Sequence, residues 1–306
     1  MQPNIKWWYY IIALIPPFMG SVSYVLSKYV INDEVSPISL LFYRWLVALI
    51  ILTPFAIKHF LAEISNVWIN IRILSIIAIS GVTFFNLFVY YALQYTSSTN
   101  ISIIVSVFPV LVLVFGIIIS KEKPKKLQIY SIIFSFVGVV IIVIHGRVLY
   151  GLSELFNNIG DFIALAAAIC WAIYVFAVKF KPNNLTFLSF IYATFAIGTM
   201  LIFPLYLIDV FYFKNILVLN LQNMSVIFCL GFCVSIIGML SLNLSILKIG
   251  ANLSAILFYS APLFTAIMAV MILGEQFEFF HLIGIITILT GINLPLITRF
   301  FNNKNR

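Results

Sequence analysis

Charged side chains are scarce in this sequence. Asp, Glu, Lys and Arg make up 8% of the 306 residues, whereas a soluble globular domain carries about 25%. Because 63% of the residues are hydrophobic, the chain has too little polar side chain to cover a soluble surface. Its 30 Phe, 15 Tyr and 5 Trp residues suit a lipid-facing body with amphipathic rings at the interfaces. The composition excludes an ordinary water-soluble domain and predicts an integral membrane protein.

Cysteine is also scarce. Cys170, Cys229 and Cys233 all fall within apolar segments, where a thiol behaves as a small buried hydrophobe. Their spacing forms neither a disulfide framework nor a zinc site. The net charge of +8 does not indicate nucleic acid, since the basic residues lie in short loops rather than on one face. We predict no metal, no cofactor and no nucleic acid. The expected partners are the lipid bilayer and a small-molecule substrate, with the chain a monomer or weak homodimer.

Motifs of ATP-driven pumps and of membrane enzymes are missing. No G-x-x-x-x-G-K-[ST] loop occurs, so ATP is not expected to drive this chain. Neither H-E-x-x-H nor G-x-S-x-G is present, and Asp161 is almost alone as an acidic residue near an apolar run. An enzyme needs a cluster of catalytic groups, and a channel normally shows rings of charge or carbonyl filters. An intramembrane enzyme and a channel stay as alternatives to a transporter.

Long apolar runs are what the sequence does contain. About 20 apolar residues in a helix span a hydrocarbon core of about 30 Å. Continuous runs of this kind differ from the alternating segments of a β-barrel, and the first is too long for a signal-peptide core. Ten runs are found, at approximately 7–30, 37–58, 71–94, 98–120, 126–145, 160–180, 186–208, 224–248, 251–274 and 279–298.

The basic residues predict the orientation. With the amino terminus inside, thirteen of the seventeen Lys and Arg residues lie on the cytoplasmic side. Only Arg147 and Lys214 fall in external loops, with Lys28 and Arg44 inside the external ends of helices 1 and 2. The positive-inside rule then places both termini in the cytoplasm. We predict a multi-pass protein of the cell membrane.

An internal repeat divides the chain. At an offset of 153 residues Pro109 aligns with Pro262 and Glu122 with Glu275, and Gly138 aligns with Gly291. Each half holds five helices, and an odd number inverts the second half in the membrane. We predict an all-α membrane fold of ten transmembrane helices in two inverted repeats, 1–150 and 151–306. Such repeats are typical of secondary transporters, with the substrate near the midplane, although a duplicated scaffold without transport is the alternative.

Several short segments, found in order along nearly the whole chain, resemble those of a known family. They are GSVSYVLSK (20–28) and WAIYVFAVK (171–179), FYRWLVA (42–48), YALQYTSSTNISIIVSVFP (91–109), and the acidic residues Glu122 and Glu275. Together they resemble the EamA branch of the drug/metabolite transporter superfamily. The resemblance implies ten helices, cytoplasmic termini, and export or exchange of amino acids, related metabolites or drugs. Met19 departs from it, because many relatives have tryptophan before the glycine.

Polar and aromatic residues at helical spacing inside the runs are the candidates for a substrate path. Asn86 and Asn243 stand out, because one helix is not expected to satisfy an amide in hydrocarbon. Aromatic walls around a few polar groups are typical of small-molecule pockets. The predicted substrate-binding residues are Tyr24, Asn86, Tyr90, Trp171, Tyr174, Asn243 and Tyr259.

A second group is predicted to line a vestibule or to gate it, and consists of Lys28, Arg44, Pro109, Pro262, Glu122 and Glu275. Arg44 either pairs with Asp33 or Glu34, or attracts a carboxylate or phosphate. The prolines each free a carbonyl in mid-helix, which either lines a cavity or marks a packing kink. We predict an exporter or exchanger of small metabolites that works by alternating access.

Overall fold

The protein is helical throughout the part that this computed structural model describes, which is residues 7–31, 35–124, 126–143, 159–214, 217 and 220–273, with isolated residues from 279 to 291. Within these residues, eight helices are long and apolar enough to cross a membrane. They are α1 (Trp8–Val30), α2 (Pro37–Ala62), α3 (Ile71–Tyr95), α4 (Ser98–Ile118), α6 (Ile159–Val178), α7 (Phe187–Phe211), α8 (Leu221–Ile249) and α9 (Ala251–Ile272). Between α4 and α6 lies α5 (Lys126–Val143).

These nine helices correspond to the first nine predicted spans, and the chain is a multi-pass membrane protein. The predicted tenth helix, 279–298, lies largely outside the described residues. A short helix, Ile64–Ile69, joins α2 to α3. Below, the first half means α1 to α5 and the second half means α6 onward.

The helices α2 and α7 begin in the same way. The side-chain oxygen of Ser36 accepts a hydrogen bond from the backbone N–H of Ser39, and Pro37 opens the helix. The side chain of Thr186 accepts from the backbone N–H of Ser189 at the start of α7. An N-cap oxygen satisfies an N–H that no helix carbonyl can reach, and proline at the first position has no N–H to satisfy. These caps fix the starting points of both helices.

Four helices are interrupted at positions that follow the repeat. A π-helical segment, Ala78–Phe84, lies within α3, and another, Leu230–Gly238, lies within α8. In α4 a turn at 106–107 precedes Pro109, and in α9 a 3-10 turn, Phe258–Ser260, precedes Pro262. An offset of 153 residues brings each pair into register. The two halves therefore share irregular backbone as well as helix order.

The core lies where the two halves meet. Trp45, Tyr90, Tyr174, Phe190 and Phe195 are almost fully buried. They come from α2, α3, α6 and α7, so both halves contribute to one interior. In a bilayer the hydrophobic effect does not drive helices together, and close packing and hydrogen bonds hold them instead.

Successive helices run in opposite directions, and their ends form two faces. At the face where α1 begins, here called the N-terminal face, Glu122 forms an ion pair with Lys179 and accepts a hydrogen bond from Asn252 Nδ2 at 3.1 Å. At the opposite face, Asn100 Nδ2 donates to Asp161 Oδ1 at 3.3 Å. Each of these contacts joins the first half to the second.

Candidate functional site

A small cavity of about 40 Å³ lies between the two halves in the interior of the bundle. A volume of this size holds a few water molecules. Residues of α1, α2, α3, α6, α8 and α9 line it: Pro16, Met19, Gly20, Ser23, Tyr24, Arg44, Phe85, Asn86, Val89, Trp171, Val234, Gly238, Met239, Leu242 and Phe258. The cavity is thus shared between the two halves, which is where the sequence predicts a substrate site.

Arg44 is the polar centre of this cavity. Its side chain is 3% exposed, and Nε donates to Ser235 Oγ at 2.7 Å. Nη1 donates to Ser23 Oγ at 3.1 Å, to Asn86 Oδ1 at 3.0 Å and to Tyr90 OH at 2.7 Å. Three helices, α1, α3 and α8, thereby supply four neutral oxygens to one guanidinium. Arg44 does not reach back to the membrane surface, as it would if it snorkelled.

Among the described residues, the guanidinium of Arg44 has no acidic partner. The ion pair found there joins Lys179 to Glu122 instead. Asp33 and Glu34, the predicted pairing partners of Arg44, lie outside the described residues. Within the described part of the chain Nη2 donates to no protein atom, although both of its N–H groups are available. A buried charge is costly unless it is paired or hydrogen-bonded. The site therefore holds a positive charge that is solvated by neutral groups and keeps spare donors.

Asn86 is held by the irregular backbone of α3. Its Nδ2 donates to the carbonyls of Gly81 at 2.9 Å and Val82 at 3.0 Å, both in the π-helical segment. Its Oδ1 is the acceptor for Arg44. The expectation that one helix cannot satisfy an asparagine amide is wrong for the two donors, because a π segment leaves carbonyls available. Asn86 lines the cavity and orients Arg44 at the same time.

Aromatic rings form one wall of the cavity. The ring of Trp171 lies 4.2 Å from that of Phe85 at 30°, and 5.0 Å from that of Tyr174 at 20°. Phe258 lies 6.0 Å away. Trp171 is 5% exposed, and its Nε1–H has no hydrogen-bond partner among the described residues. A buried indole N–H usually has a partner, so this donor is unused.

Tyr174 and Asn243 form a pair behind this wall. Asn243 Nδ2 donates to Tyr174 OH at 2.5 Å and to the Met239 carbonyl at 2.7 Å. The ring of Tyr174 packs on Gly81, where an added Cβ would lie 2.1 Å from Cδ2. Neither Tyr174 nor Asn243 borders the cavity. Tyr174 stacks against Trp171, and Asn243 holds the hydroxyl of Tyr174.

The other predicted substrate-binding residues are spread over three environments. Tyr24 lines the cavity directly. Tyr90 does not line it but contacts it through Arg44. Tyr259 is fully buried in a separate apolar cluster with Ile103, Ile256 and others, and does not border the cavity. The structure brings Tyr24, Asn86, Tyr90 and Trp171 together around Arg44, and their binding role stays a prediction.

Of the predicted vestibule and gating residues that the structure describes, only Arg44 borders the cavity. Lys28 Nζ donates to the carbonyls of Leu93 at 2.5 Å and Thr96 at 3.1 Å, capping the end of α3. Glu122 joins the halves at the N-terminal face. Glu275 lies outside the described residues. Pro109 and Pro262 follow the equivalent breaks in α4 and α9.

Several residues of the site were not predicted from the sequence. Ser23 and Ser235 are hydrogen-bond acceptors of Arg44, and Phe85 and Phe258 are wall residues. Ser23 lies within the segment GSVSYVLSK, whereas Ser235 is one serine in an apolar run. A search for the partners that a buried arginine requires would have pointed to such hydroxyls. Nothing in the sequence singled out which ones.

Comparison with known proteins agrees with the architecture. The sequence model of the EamA-like transporter family matches the chain twice, at residues 7–144 and 158–296. A protein of Archaeoglobus fulgidus named "uncharacterized transporter" is 31% identical over 268 residues, covering 85% of this chain and 88% of that one. The Bacillus subtilis "uncharacterized transporter YyaM" is 28% identical over 223 residues, covering 71% and 70%.

A solved crystal structure of another protein shows the same fold. It has a TM-score of 0.65 and 16% identity, and the match covers 94% of this chain and 96% of that chain. At this identity the likeness concerns the fold alone. The family match, in two copies that span most of the sequence, and the similarity to proteins named as transporters establish that this chain belongs to the EamA-like transporter family.

Proposed function

We propose that this protein is a secondary transporter, an exporter or exchanger of small carboxylate-bearing metabolites such as amino acids or related compounds. The observation that carries the proposal is Arg44, a buried guanidinium in a cavity shared by both repeats. An arginine fork matches the geometry of a carboxylate and binds it through two parallel hydrogen bonds. Ionisable groups buried in membrane bundles mark substrate or ion paths.

The size of the cavity supports alternating access. At about 40 Å³ it is far smaller than the 300–1,000 Å³ of typical small-molecule sites. A metabolite therefore enters only when the halves move relative to one another. Inverted repeats provide such a motion, because one repeat can rock against the other around a central site.

Contacts between the halves at the two faces supply the closures that this motion would open in turn. Glu122, Lys179 and Asn252 join the halves at the N-terminal face, and Asn100 and Asp161 join them at the opposite face. We place the protein in the cell membrane with the N-terminal face in the cytoplasm, following the distribution of basic residues. Labelling of a cysteine at position 123 by an impermeant reagent in intact cells would contradict this orientation.

Transport into proteoliposomes tests the function directly. The purified full chain is reconstituted, and uptake of radiolabelled metabolites is measured with and without counter-substrate inside and with and without a pH gradient. We expect saturable uptake of carboxylates, reduced at least tenfold in Arg44→Gln and partly restored in Arg44→Lys, which keeps the charge. Tyr43→Phe is the matched control, because its hydroxyl lies on the same helix but bonds Tyr206 outside the cavity.

Two results separate the rival functions. Unitary conductance steps in planar bilayers indicate a channel, and chemical conversion of a solute by the purified protein indicates an enzyme. Uptake of carboxylates that is equal in wild type and Arg44→Gln contradicts the role of Arg44.

A further inference from the structure

We infer that the substrate of the Arg44 cavity is a net anion, a small organic monocarboxylate with an apolar tail and no ammonium group. The inference rests on the proposed transport function and narrows its substrate class. It separates 2-hydroxy and 2-oxo acids, or simple carboxylates, from the zwitterionic amino acids that share their skeletons.

The charge inside the cavity is the first argument. Of the fifteen described residues that line it, Arg44 is the one with a charged side chain. A zwitterion brings its own ammonium group within a few ångströms of its carboxylate. That group would sit close to the guanidinium in a water-poor interior, where like charges repel strongly. An anion meets only attraction.

The orientation of the neutral polar groups is the second argument. An ammonium group needs hydrogen-bond acceptors, and three side-chain oxygens beside the cavity are already in use. The hydroxyl oxygens of Ser23 and Ser235 and Oδ1 of Asn86 all accept from Arg44. Using them for a substrate cation would strip solvation from the buried guanidinium.

The spare groups are donors, which is the third argument. Arg44 Nη2 and Trp171 Nε1 both belong to cavity-lining residues and donate to no described protein atom. A carboxylate is an acceptor-only group with two oxygens, so it complements these donors. The surrounding Tyr24, Phe85, Met239 and Phe258 offer apolar surface for the rest of the molecule.

The experiment compares substrates that differ in one substituent. Binding is measured with the detergent-solubilised full chain, and uptake is measured in proteoliposomes. The compounds are phenylalanine, 3-phenyllactate and the methyl ester of 3-phenyllactate, together with leucine, its 2-hydroxy acid and the methyl ester of that acid. We expect the hydroxy acid to bind at least tenfold more tightly than the amino acid, and the uncharged ester to lose binding. Arg44→Gln should abolish the difference between the acids.

A charge-cancelling variant sharpens the test. Ser235→Asp places a carboxylate beside Nε of Arg44, and we expect it to remove the preference for the anion. Asparagine has nearly the same size as aspartate and carries no charge, so Ser235→Asn should keep that preference. Both variants are first checked for folding by gel filtration and thermal unfolding, and Asn86→Asp offers a second carboxylate at the guanidinium if Ser235→Asp does not fold.

The outcomes distinguish this inference from the proposed function. Equal or better binding and uptake of the amino acid, with dependence on Arg44, overturns the net-anion inference and leaves transport intact. Saturable transport confined to neutral or cationic solutes also overturns it. The absence of protein-dependent uptake for every solute tested counts against the transport function itself.

Discussion

Two helix pairs related by the repeat, α2 with α7 and α4 with α9, differ in how they cross the bundle. The helices α2 and α7 run without a break for 26 and 25 residues, although each contains a proline. The helices α4 and α9 are interrupted just before Pro109 and Pro262. Proline alone therefore does not explain the breaks, since Pro54 and Pro204 sit inside continuous helices.

The continuous pair is also fastened at both faces in a matching way. At the opposite face, the N-cap residue Ser36 and Ser39 of α2 donate to Asp209 of α7. At the N-terminal face, the N-cap residue Thr186 of α7 donates to Glu63, which follows α2, through its N–H at 2.8 Å and its hydroxyl at 3.3 Å. An acidic residue at the end of each helix thus accepts from the cap of the other. Two further contacts lie between them, Tyr43 with Tyr206 and Thr53 with Tyr192.

The difference between the two pairs indicates which helices stay together. A helix pair fastened at both ends cannot separate at one face without breaking a hydrogen-bonded cap. A pair interrupted in mid-membrane can change its direction at the interruption. We infer that α2 and α7 act as the fixed axis of the transport motion. The parts of α4 and α9 that lie between the interruption and the membrane face are the ones that move.

Cross-linking should give the largest effect. On a background without Cys170, Cys229 and Cys233, we expect a cysteine pair at Glu122 and Asn252 to form a cross-link that abolishes uptake, with recovery on reduction. These residues lie in contact at 3.1 Å across the N-terminal face, where α4 and α9 meet the rest of the bundle.

The matched control is a cysteine pair at Glu63 and Thr186, on the same face but between α2 and α7. Its cross-link should leave at least half of the uptake rate, because this pair does not need to separate. If both cross-links stop transport, or neither does, the division into a fixed and a moving pair fails.

Proline replacement should have a smaller but clear effect. We expect Pro109→Ala and Pro262→Ala to slow transport several-fold at normal expression, because alanine restores the N–H and allows the helix to continue through the break. Pro54→Ala and Pro204→Ala, in the continuous helices, should change the rate less than twofold. Initial rates in proteoliposomes at equal protein content provide the measurement, and unchanged rates in both Pro109→Ala and Pro262→Ala would refute the hinge.

The helices themselves were predictable from the sequence, because a span of about 20 apolar residues has few alternatives in a bilayer. The observed α3, Ile71–Tyr95, differs from the predicted span 71–94 by a single residue. The repeat was visible because Pro109 and Pro262 align. The interruptions beside these prolines follow the same offset, although the sequence alone did not show that Pro54 and Pro204 would leave their helices unbroken.

The site was predictable only in part. Asn86 and Trp171, two of the predicted binding residues, line one cavity, and their role in binding stays a prediction. The depth of Arg44 was not anticipated, since a position seven residues from the start of the predicted span 37–58 is compatible with snorkelling. Its burial depends on Ser23, Ser235 and Tyr90 arriving from three other helices. Such tertiary convergence leaves no local signal in the sequence.

Loss of the hydrogen bonds from Ser36 and Ser39 to Asp209, at the opposite face, should affect stability more than transport. Asp209→Ala leaves the buried hydroxyl of Ser39 without its acceptor, and an unmade buried hydrogen bond costs about 1–3 kcal/mol. We expect the midpoint of thermal unfolding in detergent to fall by several degrees, while the folded fraction keeps a near-normal turnover. Asp209→Asn retains an acceptor oxygen and should lose less. A turnover that collapses while the unfolding midpoint is unchanged would place Asp209 in the transport path instead.

The smallest effect on stability is expected at the contact between Thr186 and Glu63, and it should depend on pH. Burial alone raises the pKa of Glu63. Hydrogen bonds from the backbone N–H of Thr186 and from the hydroxyls of Ser189 and Thr186 lower it, and together they outweigh burial, so that the net pKa lies below its ordinary value of 4.5. A carboxyl whose pKa is depressed by folding stabilises the protein above the unfolded-state pKa, and that contribution is lost as the pH falls through the folded-state value. Because Glu63 is close to solvent, the effect of Glu63→Gln on the unfolding midpoint at pH 7 should be no more than about 2 °C. The gap between wild type and Glu63→Gln should shrink as the pH falls below 4.5, and approach zero at a pH low enough to protonate Glu63 in the folded protein. A gap of the same size at both pH values would show that the shape of the side chain, and not its charge, fastens α2 to α7 at this face.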